Sequence, residues 1–405
     1  MLHHPTLSPE DLLLGHIRAS SIRAQAYTYV VVASDTSFFN FTSHKGVAGL
    51  GPIGWQGQPL RGFVAHSGLA LSPLGMPLGL LFQSSWVRAP EAAGQAKRRR
   101  ERPLSEKESS KWVAGLRAVE AALPEEVGAV LVMDREADLF ELFAAPRRAG
   151  VEWIIRSAQP RRVALVFGGS TSTLEEVVDQ APVGGRRTVL VHARADQAER
   201  EALLSIRWAP VQVLPPRHKG LSSHPPIRVW VVAATEENPP EGVAEPLRWV
   251  LLSTLPTQSV EEAWERVRTY ALRWRVEQLH FVLKSGCRFE RLQVDTASAL
   301  QKALSLYSVV AWRLLYVLYL SREAPDAPAE EVVSPTEQQV LQAAVERPVQ
   351  TVAQVVLAVA QVGGFRAYPS APLPGVQSLW WGFRRLEAMV EGYQLALQQT
   401  QRHPP

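Results

Sequence analysis

One stretch of this chain carries a concentrated set of reactive side chains. Residues 260–290 read VEEAWERVRTYALRWRVEQLHFVLKSGCRFE. Read as a helix turning about 100° per residue, it places Tyr270, Arg273, Glu277 and Lys284 in a stripe about 60° wide, with Arg266 beside them. Leu272, Val276, Leu279, Val282 and Leu283 fall on the opposite side, which reads as the core-facing stripe. The polar face thus offers a carboxylate flanked by two cations and a phenol. A carboxylate can hold a divalent cation, while Arg and Lys hold the phosphate on which that cation acts. The same residues also suit a solvated face with i, i+4 charge pairs.

Two further carboxylates stand at the ends of runs that read as buried strands. YTYVVVAS (27–34) is β-branched and aromatic and leads into Asp35, and GAVLVM (128–133) leads into Asp134. Apolar strands are expected near Gly62–Ser72 and Leu78–Val87, followed by a charged loop from Ala89 to Arg102 that contains the four-cation run Lys97–Arg100. Ser105 with Glu108 predicts a capping box and a helix reaching Leu123. A short helix (Leu139–Arg147) and a strand (Val151–Arg156) complete a βββαβαβ order. That order implies a mixed sheet with helices packed on it. From about Arg161 to Pro256 short alternating runs separated by Gly and Pro predict an antiparallel β insertion. Helical periodicity resumes at Val260, and an acidic, Pro-rich break (Ala324–Pro335) sets off a last helical segment, Glu337–Gln401.

Composition bounds the function classes. The chain has 405 residues, 46% hydrophobic and 20% charged, enough for two or three packed domains and too apolar for a disordered chain. A single cysteine, Cys287, excludes a disulfide framework and an all-cysteine zinc site. The net charge of +4 is small, so a nucleic-acid partner would have to be held by local patches. The opening residues lack a basic-then-apolar signal segment. The longest apolar run, Tyr307–Leu320, contains Arg313 and is short for a bilayer span, so it reads as a buried helix. These features lead us to expect a soluble, cytoplasmic protein with no membrane partner.

The motifs and their order resemble the DDE transposases of the insertion-sequence-four type. Tyr270-x2-Arg273-x3-Glu277-x6-Lys284 matches that family's YREK signature. Asp134 lies in MDREADLF, similar to the DREAD segment around the second acid, and Asp35 lies in ASDTSFFN, similar to the strand bearing the first. EKESSKW (106–112) and WIIRSAQPRR (153–162) also look like family segments. The resemblance runs from about residue 25 to 400. It implies an α/β fold: an RNase H-like mixed-sheet core (1–160 and 257–323), a β-strand insertion (161–256), and a helical C-terminal dimerisation region (324–405). Asp35, Asp134 and Glu277 would be the catalytic triad and would hold two Mg²⁺ ions, with Mn²⁺ an alternative. Tyr270, Arg273 and Lys284 would hold phosphates, and Trp249 would stack on a flipped base. Arg156 and Arg162 would touch the DNA backbone. The partners implied are double-stranded DNA, as transposon ends and target, and a second copy of the chain. The expected location is a bacterial cytoplasm, in association with the nucleoid.

Several residues have competing readings. Trp249 also suits a core aromatic in an apolar strand. Glu136 and Asp138 suit helix-start charges. Arg156, Arg161 and Arg162 equally suit a solvated loop, and the 97–100 run an exposed one. His66 reads as a satisfied strand histidine, and Cys287 as structural. His218, His224 and His280 lack paired ligand spacing, so no zinc site is expected. Trp380, Trp381, Phe383, Leu386 and Met389 suit either a dimer face or packing on the same chain. Family members carry a helical DNA-binding domain before the first acid, and the 34 residues before Asp35 are too few for one. That leaves two other functions open: a non-catalytic regulator that dimerises with a full-length transposase, and a plain RNase H-like nuclease.

Overall fold

The structure, a computed structural model, describes residues 1–54, 58–89, 106–165, 170–191, 199–217, 220–241, 243, 245–366 and 374–402. Helix α1 (Pro9–Ala24) opens the chain. Ser8 caps it by accepting the Asp11 N–H, while the Asp11 carboxylate accepts the Ser8 N–H, and Pro9 sits where its missing N–H costs nothing. The strands that follow are β1 (Tyr29–Asn40), β2 (Gly51–Pro52), β3 (Arg61–Leu71) and β4 (Pro77–Trp86). Helix α2 (Ser110–Ala122), β5 (Gly128–Met133), the single turn α3 (Phe140–Phe143) and β6 (Val151–Arg156) come next. Residues 97–100 and Ser105 lie outside the described residues, so neither the cation run nor the expected Ser105 cap is addressed. The start of α2 falls at Ser109, which makes no side-chain cap, and Glu108 instead pairs with Arg88 at 2.7 Å.

The protein is α/β, with one large mixed sheet. β3 lies antiparallel between β4 and β1, β1 is parallel to β5, and β5 is parallel to β6. The strands expected as an insertion are β7 (Arg162–Leu165), β8 (Thr171–Thr173), β9 (Gly185–Val191), β10 (Arg200–Val213), β11 (Ile227–Glu236) and β12 (Arg248–Ser253), with helix α4 (Leu174–Gln180) among them. They are antiparallel, as the alternation predicted. They extend the same sheet, because β12 pairs with β6 through Leu251↔Arg156 and Ser253↔Ile154. Both faces are covered, so central strands bury successive side chains. Val31, Ala33, Ile206 and Val232 join one apolar cluster with the later helices. Val30, Val32, Val211 and Val231 join the other with α2, α3 and α4.

The helical half comprises α5 (Val260–Ala271), α6 (Trp274–Phe281), α7 (Ala297–Glu323), α8 (Pro335–Val345), α9 (Val352–Val362) and α10 (Val376–Arg402). The apolar run 307–320 belongs to α7. Among the described residues this is the one helix long and apolar enough to cross a membrane, and half of its most apolar window is buried within the chain. It packs on α1 and β4, and Ser308 and Gln83 exchange hydrogen bonds in its interior contact. In α10, Leu379 and Leu386 are buried in the chain's own core, and Arg313 lies 4.9 Å from the Phe383 ring centre. Trp381 and Met389 on the same helix are exposed.

Candidate active site

Asp35 and Asp134 are delivered by neighbouring strands. Asp35 lies inside β1 and not at its end, because β3 goes on pairing to Asn40 after the parallel ladder to β5 has stopped at Ala33↔Val132. Asp134 follows the last residue of β5 and caps a short 3₁₀ turn, accepting the Glu136 N–H at 2.8 Å. Its carboxyl is pushed up to about 6, chiefly by burial and further by the charge of Asp35, against the pull of that hydrogen bond. Asp35 is held below its ordinary value. Burial pushes it up, but the hydrogen bond and charge of His280 and the charge of Arg273 outweigh it.

The stretch expected as one continuous helix is broken twice. Helix α5 ends at Ala271 through i→i−3 bonds (Leu272 N–H to Thr269, Arg273 N–H to Tyr270), and α6 starts at Trp274. Residues Val282–Gly286 then form a π turn closed by the Cys287 N–H on the Val282 carbonyl at 2.7 Å. Such turns recur at functional sites because they re-aim side chains. The tight step over-rotates the helix and the wide one under-rotates it, so Lys284 still feels the charges of Asp35 and Glu290. Gly286 fits here because a Cβ would stand 2.6 Å from Val376, where α10 begins. Val276, Leu279, Val282 and Leu283 face the core as predicted. Arg266 leaves the stripe and donates to the Pro256 carbonyl at 2.9 Å.

Arg273 stands at the centre of the site. Its guanidinium donates a short hydrogen bond to Glu277 and lies 3.9 Å from an Asp35 oxygen. Burial works against its charge, but Tyr270, Glu277 and Asp35 together raise its pKa. Tyr270 is buried and meets Trp249 edge-to-face, the ring centres 5.3 Å apart at 75°. Trp249 is only half-buried, so the core and stacking readings are compatible. Lys284 lies 5.4 Å from the Phe39 ring centre, and burial lowers its pKa.

The basic residues that follow β6 separate into different roles. Arg156, Arg135 and Arg248 line a cleft of about 670 Å³. Burial and the charges of Arg135 and Arg273 depress the Arg156 pKa, and Glu175, which pairs with Arg248, also lines this cleft. Arg161 makes a buried ion pair with Asp138 at 2.7 Å, and Asp138 also accepts the Ala158 and Gln159 N–H groups. Both serve to fix the 156–161 loop. Arg162 borders a second cleft with Pro216 and Arg217, and neither cleft is lined by any of the three acids. Glu136 pairs with Lys111 at 2.8 Å. His66 bonds Thr36 at 3.1 Å through one ring nitrogen, while the other, Nε2, is buried without a partner; burial pushes its pKa down to about 3. Burial pushes the Cys287 thiol up to about 12, consistent with an inert packing role. His218 lies outside the described residues.

Sequence reasoning missed three members of this neighbourhood. His280 stands 3.7 Å from Asp35; its i+3 spacing from Glu277 was the available signal. Trp274, beside Arg273, is 56% exposed. Arg135 was hidden within the DREAD segment.

The donor set suits a hard divalent cation, being three oxygen-bearing carboxylates. A cation would also relieve the repulsion that Asp35 exerts on Asp134. As placed, no three His, Cys, Asp or Glu side chains among the described residues form a ready ligand group; the Arg273 guanidinium bridges Glu277 and Asp35. No protein-family model matches the chain.

Proposed function

We propose that this chain is a DDE transposase that cuts and joins DNA, with Asp35, Asp134 and Glu277 as its catalytic acids. The observation that carries the reading is that Arg273, a phosphate-binding type of side chain, bonds Glu277 and lies 3.9 Å from Asp35, while Asp134 stands level with Asp35 on the adjacent parallel strand. The strand order β4-β3-β1-β5-β6, antiparallel for the first two pairings and parallel for the last two, supports an RNase H-like core for residues 1–160 and 257–323. Residues 161–256 are then an insertion that lengthens its sheet, and 324–405 a helical region whose exposed Trp381 and Met389 would meet a second copy.

Two Mg²⁺ ions held by the three carboxylates would supply charge stabilisation at the attacking and leaving oxygens. The chain's own residues do the rest. Arg273, Lys284 and Arg156 bind phosphates on either side of the scissile one, and their charge opposes the acids' repulsion of DNA. In the first step a water oxygen bonds to phosphorus and the P–O3′ bond breaks, leaving a 3′-OH and a 5′-phosphate. In the second, that 3′-OH attacks phosphorus on the opposite strand, closing a hairpin and releasing the flanking strand's 3′-OH. Water then attacks the hairpin phosphorus and breaks its P–O3′ bond, and the regenerated 3′-OH attacks a target phosphorus, joining the ends and releasing the target strand's 3′-OH. Trp249, half-buried and in T-shaped contact with Tyr270, would stack on a base expelled from the tight hairpin. Such a protein would act in the bacterial cytoplasm at the nucleoid.

The test is to incubate the purified chain and Mg²⁺ or Mn²⁺ with plasmid carrying the DNA that flanks its gene, and to separate nicked, hairpin and joined products. Hairpins and joined ends are expected with the wild type and not with Glu277→Gln. Nicking alone would favour a nuclease. DNA binding without any cleavage would favour the regulator.

A further inference from the structure

We infer that Arg273 is an exchangeable counter-ion: it occupies the acid site by competing with divalent cations, and its release couples ion loading to DNA binding. The inference rests on the transposase reading and adds to it a defined order of electrostatic partners.

The argument is geometric. A single guanidinium touches Glu277 and approaches Asp35 to 3.9 Å. It also carries part of the electrostatic balance of Asp134, whose carboxyl it draws down. This one guanidinium therefore acts on all three carboxylates, with His280 standing 3.7 Å from Asp35 as well. Cations bound by the same oxygens would supply several times that charge within a few ångströms. Like charges so close in a part-buried site repel strongly, and Glu277 cannot give one oxygen to both partners. The guanidinium must then leave, yet its backbone is fixed at the tight step between α5 and α6. Phosphate is the other natural bidentate partner of Arg, so a DNA phosphate would receive the released guanidinium. By linkage, whatever factor the ions contribute to DNA affinity through this exchange, DNA contributes to ion affinity.

A fixed phosphate contact makes a different prediction. If Arg273 only holds DNA, its removal leaves ion binding by the free protein unchanged. If it competes, removal tightens ion binding. Isothermal titration of the DNA-free full chain with Mn²⁺ separates the two. Arg273→Gln and Arg273→Ala are expected to bind Mn²⁺ roughly three- to tenfold more tightly than the wild type, within the usual range of site-to-site coupling, and Arg273→Lys is expected to return toward wild type. Equal or weaker binding by the Gln and Ala variants, or binding by neither wild type nor variants, overturns the inference. In fluorescence anisotropy with mixed-sequence duplex DNA, the loss caused by Arg273→Gln should be greater in Ca²⁺ than in EDTA; equal losses overturn it. Mn²⁺ binding that survives both Glu277→Gln and Asp134→Asn would instead remove the acid triad, and with it the reading on which the inference stands.

Discussion

Asp35 and Asp134 each stand two residues beyond the last pair of the parallel ladder, Ala33 and Val132, so adjacent strands present them at the same level. Of two carboxylates so placed, one can take up the repulsion. Asp134 carries the effect, pushed up to about 6 by burial and by Asp35. Its folded-state value lies above its ordinary one. This group therefore favours the fold at low pH and loses that contribution as pH rises through about 6. Asp134→Asn keeps an oxygen for the Glu136 N–H and removes the charge. In EDTA at pH 7.5 it should stabilise the protein by about 1–2 kcal/mol, the order expected from a shift of this size. The gain should shrink toward zero as pH falls to 4. Urea denaturation at the two pH values measures it, and no gain at pH 7.5 would mean that the carboxylate is not desolvated.

The same substitution should be ruinous for chemistry. Asp35→Asn, Asp134→Asn and Glu277→Gln each keep the shape of the site and remove one anionic ligand. Each should lower ion-dependent cleavage by about three orders of magnitude or more, as loss of a group acting only in a concerted site does. Circular dichroism should be unchanged. A variant that still cuts would lose its place in the triad.

Trp249 and Tyr270 meet edge to face, and Trp249 stays half-buried. Trp249→Ala should preserve first-strand nicking and impair hairpin closure about tenfold or more, the order of one base–aromatic stack. A 2-aminopurine at the terminal position reports the flipped base directly. Wild type should change its fluorescence and Trp249→Ala should not. Equal hairpin yields would return Trp249 to a packing role.

Much of the strand layout could be read from local pattern. Runs such as 128–133 and 151–156 are β-branched and bounded, and they fold where they were expected. Helix α1 was not expected, because its apolar periodicity is weak; the signal available was the Ser8 cap with Asp11. What local pattern could not give was interstrand pairing. Nothing in 248–253 announces that it will pair with 151–156 and fuse the insertion to the core sheet, since register is set by long-range partners. The breaks at 272–273 and 282–286 were equally hidden, because Ala, Leu, Arg and Trp are all acceptable within a helix. A regular wheel drew Arg266 into the stripe for that reason and left out His280, which the real backbone brings to Asp35.

The arginines after β6 offer a sharper division than their spacing suggested. Arg156 shares a cleft with Arg135 and Arg248 and is crowded by cations, so a DNA phosphate would relieve it. Arg156→Ala should weaken DNA binding and flatten its dependence on log salt by about 0.9, the value for one phosphate contact. Lys284→Ala should behave alike. Arg162 borders the other cleft, and Arg162→Ala should change the slope less than Arg156→Ala does. Arg161 differs from all three. Its partner Asp138 is buried and would be left charged and unpaired, so Arg161→Ala should cost about 3 kcal/mol of stability, the order seen when one half of a buried pair is removed. Anisotropy titrations across a salt series, run beside urea melts of the same variants, measure both effects. A slope that Arg156→Ala leaves unchanged would take that cleft out of the DNA path.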